Sequence, residues 1–243
     1  MSKIKKIILK KISPLVGNLL DSLFLTNFSR RGLDHYHGYH QNDYKFNKSS
    51  ICLIHVPRSG GGTLRKYLKK EKNFLVLNDG SQHYPVSLLC DPQIYRYVTI
   101  LRNPIYRTIS HFYMLTEMKT KVASFGFSNW LINDKLSKNL YCQYLSGHVY
   151  ENVDERIYNI ALSNLKNFYY VIDFNNIEVD LKNLLNKLNL KIDEEVKNYS
   201  YKILTNYPKH NEKFEILSKK YNFWDIKLYN EFLELKKNRK INF

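Results

Sequence analysis

Residues 55–64 read HVPRSGGGTL and directly follow the apolar segment ICLI at 51–54. The run ICLIHV at 51–56 predicts a short buried strand, and the residues from Thr63 onward, TLRKYLKK, have helical character. The glycines at 60–62 form a loop whose backbone a second group can approach closely. The order of strand, glycine loop and helix predicts an α/β domain with an anion-binding loop after its first strand.

Strands and helices continue to alternate along the chain. Further strands are predicted at 73–77, 95–102 and 168–174. Helices are predicted from Pro104 onward and at 127–133, 136–145, 154–166 and 179–190. A lysine-rich helix near the C-terminus carries Trp224, Leu228, Phe232 and Leu235 at the spacing of core residues. This alternation favours a parallel sheet flanked by helices, with a helical C-terminal portion.

The first 49 residues are predicted to form an N-terminal amphipathic segment and linker, followed by one domain over 50–243. Apolar residues recur at helical spacing between residues 3 and 25, interleaved with lysines. Such a helix either lies on an anionic membrane surface or packs on its own domain. No run of about 18 apolar residues occurs, so no transmembrane helix is predicted.

Composition limits the partners without choosing one. The chain carries a formal charge of +16, which attracts polyanions such as nucleic acid, acidic glycan, anionic membrane or a phosphorylated cofactor. Cys52, Cys90 and Cys142 form no CxxC pair, which favours a reducing compartment. The histidines of HYHGYH at 35–40 match no metal-binding spacing, so no metal is predicted.

A second cluster follows the third predicted strand, in YVTILRNPIYRTISHFY at 97–113. Arg102 ends the strand, Pro104 begins a helix, and Ser110 lies inside that helix. In an open α/β sheet, ligands bind at the carboxyl ends of the strands. Arginine offers a planar, permanently charged donor fork that suits phosphate or sulfate. Arg58 and Arg102 therefore predict two anion sites at strand-to-helix junctions.

The glycine loop differs from the loop of ordinary ATPases and GTPases, which has the form GxxxxGK followed by Ser or Thr. Here Gly62 is followed directly by Thr63, and Pro57 stands where the first glycine would be. The basic residue lies instead at the front of the loop, at Arg58. A nucleotide-hydrolysing site is therefore disfavoured.

These segments resemble motifs of the sulfotransferase-2 class, and the likeness covers roughly residues 50–235. IHVPRSGGGTL at 54–64 is similar to the phosphosulfate-binding loop of that class, usually HxPKTGGTTL. The segment at 97–113 is similar to its LRDPxxRxxS motif. NLYCQYLSG at 139–147 is similar to a third segment of the class, which contains Asn and Gln. The first two motifs are the specific ones.

The resemblance implies a P-loop-NTPase-like fold, 3′-phosphoadenosine-5′-phosphosulfate (PAPS) as donor, and a hydroxyl of a neutral or anionic saccharide as acceptor. Arg102 and Ser110 would hold the 3′-phosphate. The 5′-phosphosulfate would be held by Arg58, Ser59, Gly60, Gly61, Gly62 and Thr63. Three positions depart from the family pattern: Arg58 replaces a lysine, Gly62 a Thr or Ser, and Asn103 an Asp.

Transfer to a hydroxyl requires a group that takes its proton, and histidine titrates near neutral pH. His83, in the loop after the second predicted strand, is the predicted base, and the resemblance places a catalytic histidine in the same segment. His55 is predicted to be structural, and His111 to face away from Ser110 on its helix. Arg58 is predicted to act with His83, because its charge neutralises the leaving group.

Alternatives remain at two levels. Asp79 or Glu117 takes the place of the base if His83 does not serve. A kinase-like P-loop transferase is disfavoured by the missing lysine, and a non-catalytic nucleic-acid-binding protein by the spread of basic residues along the chain. The sequence therefore predicts a PAPS-dependent carbohydrate sulfotransferase, cytoplasmic or peripheral to a membrane, without a nucleic acid partner. Its oligomeric state stays open.

Overall fold

The computed structural model describes residues 51–61, 64, 74–75, 96–120, 123–190 and 211–238. The N-terminal segment 1–49 and three predicted site residues, Gly62, Thr63 and His83, lie outside the described residues. The predicted division of the chain at residue 50 stays a prediction.

The sheet is parallel, as predicted, and its strands are shorter than the sequence pattern indicates wherever the flanking residues are described. In the described part of the chain it has the strand order β2-β1-β3-β4. The strands are β1 (Ile51–Ile54), β2 (Phe74–Leu75), β3 (Arg96–Leu101) and β4 (Tyr170–Asp173). Ile54 pairs with Thr99, and Leu101 pairs with Asp173, so the strands end close to one another at one edge.

Helices make up most of the remaining described residues. They are α1 (Pro104–Glu117), α2 (Gly126–Asn133), α3 (Leu140–Ser146), α4 (Glu155–Lys166), α5 (Ile177–Lys187), α6 (Glu212–Tyr221) and α7 (Phe223–Lys237). Short 3₁₀ turns cover Ala123–Phe125, Lys135–Ser137 and Phe174–Asn176. The protein is thus a mixed α/β structure with a small parallel sheet, mostly helical, and its described C-terminal part consists of α6 and α7.

The helix predicted at 136–145 is wrong in one respect, because the chain breaks there into a 3₁₀ turn and α3. Asn139 stands between the two with a φ of 46°, in the left-handed region. Asparagine adopts this conformation more readily than most residues, and it ends one helical segment before the next begins. Asn222 separates α6 from α7 in the C-terminal portion in a similar position.

Both faces of the sheet are covered, which explains why its strands are almost wholly apolar. On β3, Tyr97 and Leu101 join the larger core cluster, which includes residues of α3, α4 and α7. The alternate residues Val98 and Ile100 pack on the opposite face with residues of α5. The period of two along the strand therefore divides the core into two layers.

The starts of α3 and α7 cap each other. The buried Asp225 carboxylate accepts hydrogen bonds from the backbone N–H of Tyr141 at 2.9 Å and of Cys142 at 2.8 Å. In return, the Asn139 side-chain oxygen accepts from the N–H groups of Trp224 and Asp225. Burial raises the pKa of Asp225, and the positive charge of Arg107 opposes the rise. These bonds fix α3 against α7.

Replacing Asp225 with Ala should lower the free energy of unfolding by about 3 kcal/mol. The change leaves two buried N–H groups without their acceptor and removes the carboxylate that stabilises the buried charge of Arg107. Urea unfolding followed by circular dichroism measures the loss. Glu155→Ala, an exposed site on α4, is the control and should change stability by less than about 1 kcal/mol. Equal losses in the two variants would contradict the capping role.

Candidate active site

The strand order reverses between β1 and β3. The chain leaves β1 for β2 on one side and later enters β3 on the other side. In open α/β sheets this reversal opens a crevice at the carboxyl ends of the two strands, where ligands bind. Thr99 fastens the two strand ends, since its hydroxyl donates to the carbonyl oxygen of Ile54 at 2.9 Å. Arg58 and Arg102 follow these strands and therefore flank the crevice.

The two predicted anion motifs meet directly. The Arg58 Nε donates a hydrogen bond to the Ser110 Oγ at 3.1 Å, although the residues are 52 positions apart. Arg58 has a φ of 65°, which is unusual for a residue with a side chain. Its side chain is exposed, whereas Ser110 is 6% exposed. Among the described carboxylates, none forms an ion pair with Arg58.

Arg102 is held from three sides. Its Nη1 donates to the carbonyl oxygen of Arg58 at 3.2 Å, and its backbone N–H donates to the Tyr141 hydroxyl at 2.9 Å. Its guanidinium lies over the ring of Phe174, 4.7 Å from the ring centre, as in cation–π pairs. Burial raises the pKa of Tyr141, so this acceptor stays a neutral hydroxyl. The second arginine is therefore pre-positioned beside the first.

Two features require glycine at position 60: its backbone conformation and the nearby ring of Phe174. Its φ is 98°, a conformation that side chains disfavour. A Cβ on Gly60 would lie 3.0 Å from two ring carbons of Phe174. Phe174 thus packs between the glycine loop and Arg102 and connects β4 to both anion motifs.

Gly61 is required by the ring of His55. Gly61 already has helical conformation, so its backbone does not need glycine. A Cβ there would lie 2.2 Å from the His55 Cδ2, which no real structure tolerates. This contact supports the structural role predicted for His55, since the imidazole fills the space behind the loop.

Ser59 differs from its predicted role. Its hydroxyl donates to the carbonyl oxygen of Val56 at 2.7 Å, and its backbone N–H points to the same oxygen at 3.3 Å. The side chain is 1% exposed. Both donors of Ser59 are thereby committed to the loop, because a hydroxyl carries a single hydrogen. We therefore assign Ser59 to holding the loop and not to the anion.

Asn103 stands where the sulfotransferase-2 motif has Asp, and its position at the start of α1 accounts for this difference. The Asn103 side-chain oxygen accepts from the N–H of Ile105 at 3.0 Å and caps the helix, and Asn serves this position as well as Asp. His111 packs edge-on against Trp130, with ring centres 5.4 Å apart, so it lies on a different side of the helix from Ser110.

Arg107 belongs to the core and not to the crevice. It is fully buried, and its Nη2 donates to the hydroxyl of Thr108 at 2.8 Å. Its guanidinium lies 5.7 Å from the centre of the Tyr141 ring. Burial lowers its pKa, while the nearby Tyr141 and Asp225 oppose the change. Arg107 thus lies in the core beneath the site, and its Nε and Nη1 are buried without a hydrogen-bond partner among the described residues.

The third motif, at 139–147, supports the fold. Gln143 donates from Nε2 to the carbonyl oxygens of Lys135 and Lys138, both at 2.7 Å, and accepts from the N–H of Tyr150 at 2.8 Å. Both polar atoms of the Gln143 side chain are thus hydrogen-bonded to backbone groups of the segments on either side of α3. The contribution of this motif to the site is the Tyr141 hydroxyl, which binds the backbone of Arg102.

Sequence reasoning missed Phe174 and Tyr141 as parts of the site. The predicted strand at 168–174 ends at the same sheet edge, which could have pointed to Phe174. Nothing in the sequence signals the path of the Tyr141 side chain. Glu117, an alternative base, ends α1 about 20 Å along the helix from Pro104. Asp79 and the predicted base His83 lie outside the described residues.

In the described ranges, no three His, Cys, Asp or Glu side chains cluster as metal ligands. The described helices also include none that is long and apolar enough to cross a lipid bilayer.

Comparison of the chain with models of protein families and with curated proteins returned no match. The likeness to the sulfotransferase-2 class therefore depends on the motifs quoted above.

Gly61→Ala should destabilise the protein by about 2 kcal/mol, because the new methyl group overlaps the His55 ring. In a His55→Ala background the same change should be neutral or slightly stabilising, since Ala is the better helix former. A double-mutant cycle on thermal or urea unfolding measures the coupling, expected to exceed about 1 kcal/mol. Additive effects would show that the two residues do not touch.

Proposed function

We propose that the protein is a PAPS-dependent sulfotransferase with a P-loop-NTPase-like fold, acting on a hydroxyl of a saccharide. One observation carries the proposal: the hydrogen bond from Arg58 to Ser110, which joins the two anion motifs at the crevice between β1 and β3. A nucleotide with anionic groups on both its 3′ and 5′ oxygens needs two adjacent positive sites. Arg58 and Arg102 supply them within one bonded network.

The residues present fit such a co-substrate. Arg58, with the amides around Gly60 and Gly61, suits the 5′-phosphosulfate at the start of a helix. Arg102 and Ser110 suit the 3′-phosphate. The contact of the Arg102 guanidinium with the Phe174 ring and the hydrogen bond of its backbone to Tyr141 hold Arg102 in position. Gly62 and Thr63 complete the proposed loop. Preformed donors of this kind stabilise developing charge without reorganisation during the reaction.

The proposed reaction is an in-line transfer. The acceptor oxygen forms a bond to sulfur while the bond from sulfur to the phosphate oxygen breaks, and the bisphosphate leaves with the negative charge. His83 takes the proton of the acceptor hydroxyl, and Arg58 neutralises the leaving group. Phosphoryl transfer makes the same demands of alignment and charge stabilisation. We place this activity in the cytoplasm or at the membrane periphery.

Adenosine 3′,5′-bisphosphate should bind with micromolar affinity, and Arg102→Ala should weaken binding about tenfold or more, because a charge-assisted contact is lost. Calorimetric titration measures the affinity. Arg96→Ala is the matched control, since Arg96 lies at the opposite end of β3 and over the ring of Tyr169.

Ser110→Ala removes a single hydroxyl and should weaken binding less than Arg102→Ala. Because this milder change is less disruptive to folding, weaker binding in Ser110→Ala would not be explained by misfolding. Tighter binding of ATP or GTP with magnesium than of the bisphosphate would favour a kinase-like protein and overturn the proposal.

His83→Ala should keep bisphosphate binding and lose most transfer, expected at about 10²-fold or more for a missing general base. Formation of adenosine 3′,5′-bisphosphate from PAPS in the presence of saccharide acceptors measures the rate. His148→Ala, which removes a half-buried histidine paired with Glu151, is the control. Full activity in His83→Ala would show that a residue other than His83 takes the proton.

A further inference from the structure

An aromatic and basic surface at the turn between α6 and α7 plays no part in the proposed reaction. We call it the corner patch, and it consists of Tyr221, Phe223, Trp224, Lys138, Lys220 and Lys227. Phe223 is 59% exposed, and Lys220 and Lys227 are exposed beside it. An apolar ring therefore faces solvent among positive charges.

The members of the corner patch form two groups of contacts, one on each side of Asn222 in the chain. The ammonium groups of Lys138 and Lys220 lie 5.9 and 5.5 Å from the centre of the Tyr221 ring. The ammonium of Lys227 lies 5.2 Å from the centre of the Trp224 ring. The rings of Phe223 and Trp224 meet at 5.1 Å and 75°. In each group, lysine ammonium groups thus lie against aromatic rings.

The corner patch keeps a surplus of positive charge. Burial, followed by the nearby charge of Glu231, raises the pKa of Tyr158, which lies against Trp224. Glu231 thus offsets part of the charge of Lys227. Asp225 is buried and engaged with the amides of α3, so it contributes little at this surface. A complementary partner is therefore negative.

Three features favour a lipid surface over a dissolved polyanion. Phe223 has no polar group, so only an apolar environment rewards its burial. Tryptophan and tyrosine are enriched at membrane–water interfaces, where a ring can be apolar at one end and wet at the other. The lysines cover the faces of the Tyr221 and Trp224 rings, which single-stranded nucleic acid would need for base stacking.

We propose that the corner patch docks the protein on an anionic membrane surface. Phe223 and Trp224 enter the headgroup region, and Lys138, Lys220 and Lys227 bind the negative lipid headgroups. The lysine side chains reach past the rings while their charges stay at the polar level. This docking does not depend on the proposed sulfotransferase activity.

The two tryptophans of the chain make the docking measurable in the full-length protein. Trp130 is 1% exposed in the core, whereas Trp224 belongs to the corner patch. Vesicles of phosphatidylcholine with phosphatidylserine, brominated on their acyl chains, should quench the fluorescence of Trp224. Vesicles of brominated phosphatidylcholine alone should quench it far less, and Trp224→Phe should abolish the effect.

Two triple variants with equal loss of charge separate local docking from general attraction. Lys138→Gln, Lys220→Gln and Lys227→Gln together should weaken partition to the anionic vesicles about fivefold for each lysine. The control combines Lys166→Gln, Lys182→Gln and Lys213→Gln, which are exposed elsewhere, and should have a much smaller effect. Phe223→Ser should reduce quenching without changing charge.

Three outcomes would overturn the proposal. The first is an equal loss of partition in the two triple variants. The second is vesicle binding without quenching of Trp224, which would assign the attachment to another part of the chain, such as residues 3–25. The third is a response of Trp224 to the oligonucleotide (dT)₁₅ as strong as its response to vesicles, which would make the occupant a dissolved polyanion.

Discussion

The parallel pairing of β1 with β3 determines where the rest of the candidate site lies. It sets Ile54 beside Thr99, so the loops that follow the two strands leave the sheet at the same edge. Arg58 and Arg102 then come within hydrogen-bonding reach without any further element between them. A shift in this register would separate the two arginines, because every residue of a strand moves together.

The glycine loop acquires its shape from neighbouring rings of the protein. Phe174 packs against Gly60 and His55 packs against Gly61, so at both positions a methyl group would collide with a side chain already present. An anion-binding loop and a tightly packed loop share the same sequence signal. Here the packing contacts are present, and they place Arg102 over Phe174. Binding of an anion by the same loop is the proposal made above.

The helical layer supports the crevice from behind. Tyr141 binds the backbone of Arg102, while its own N–H is held by Asp225 from α7. The C-terminal helix is therefore coupled to the strand that carries Arg102. The corner patch begins where α7 begins, so the same helix that stabilises the crevice also presents the proposed membrane-docking surface on its exposed side.

The sequence by itself determined the parallel sheet, the start of α1 at Pro104, and the pairing of a glycine loop with a strand-terminal arginine. These are local properties, set by runs of apolar residues, by proline and by glycine. Only the tertiary structure decided that the Ser59 hydroxyl donates within its own loop. It also decided that Asn139 interrupts a helix and caps α7, and that Phe174 belongs to the site. Those roles depend on groups far apart in the chain, whose meeting follows from packing and leaves no periodic trace in the sequence.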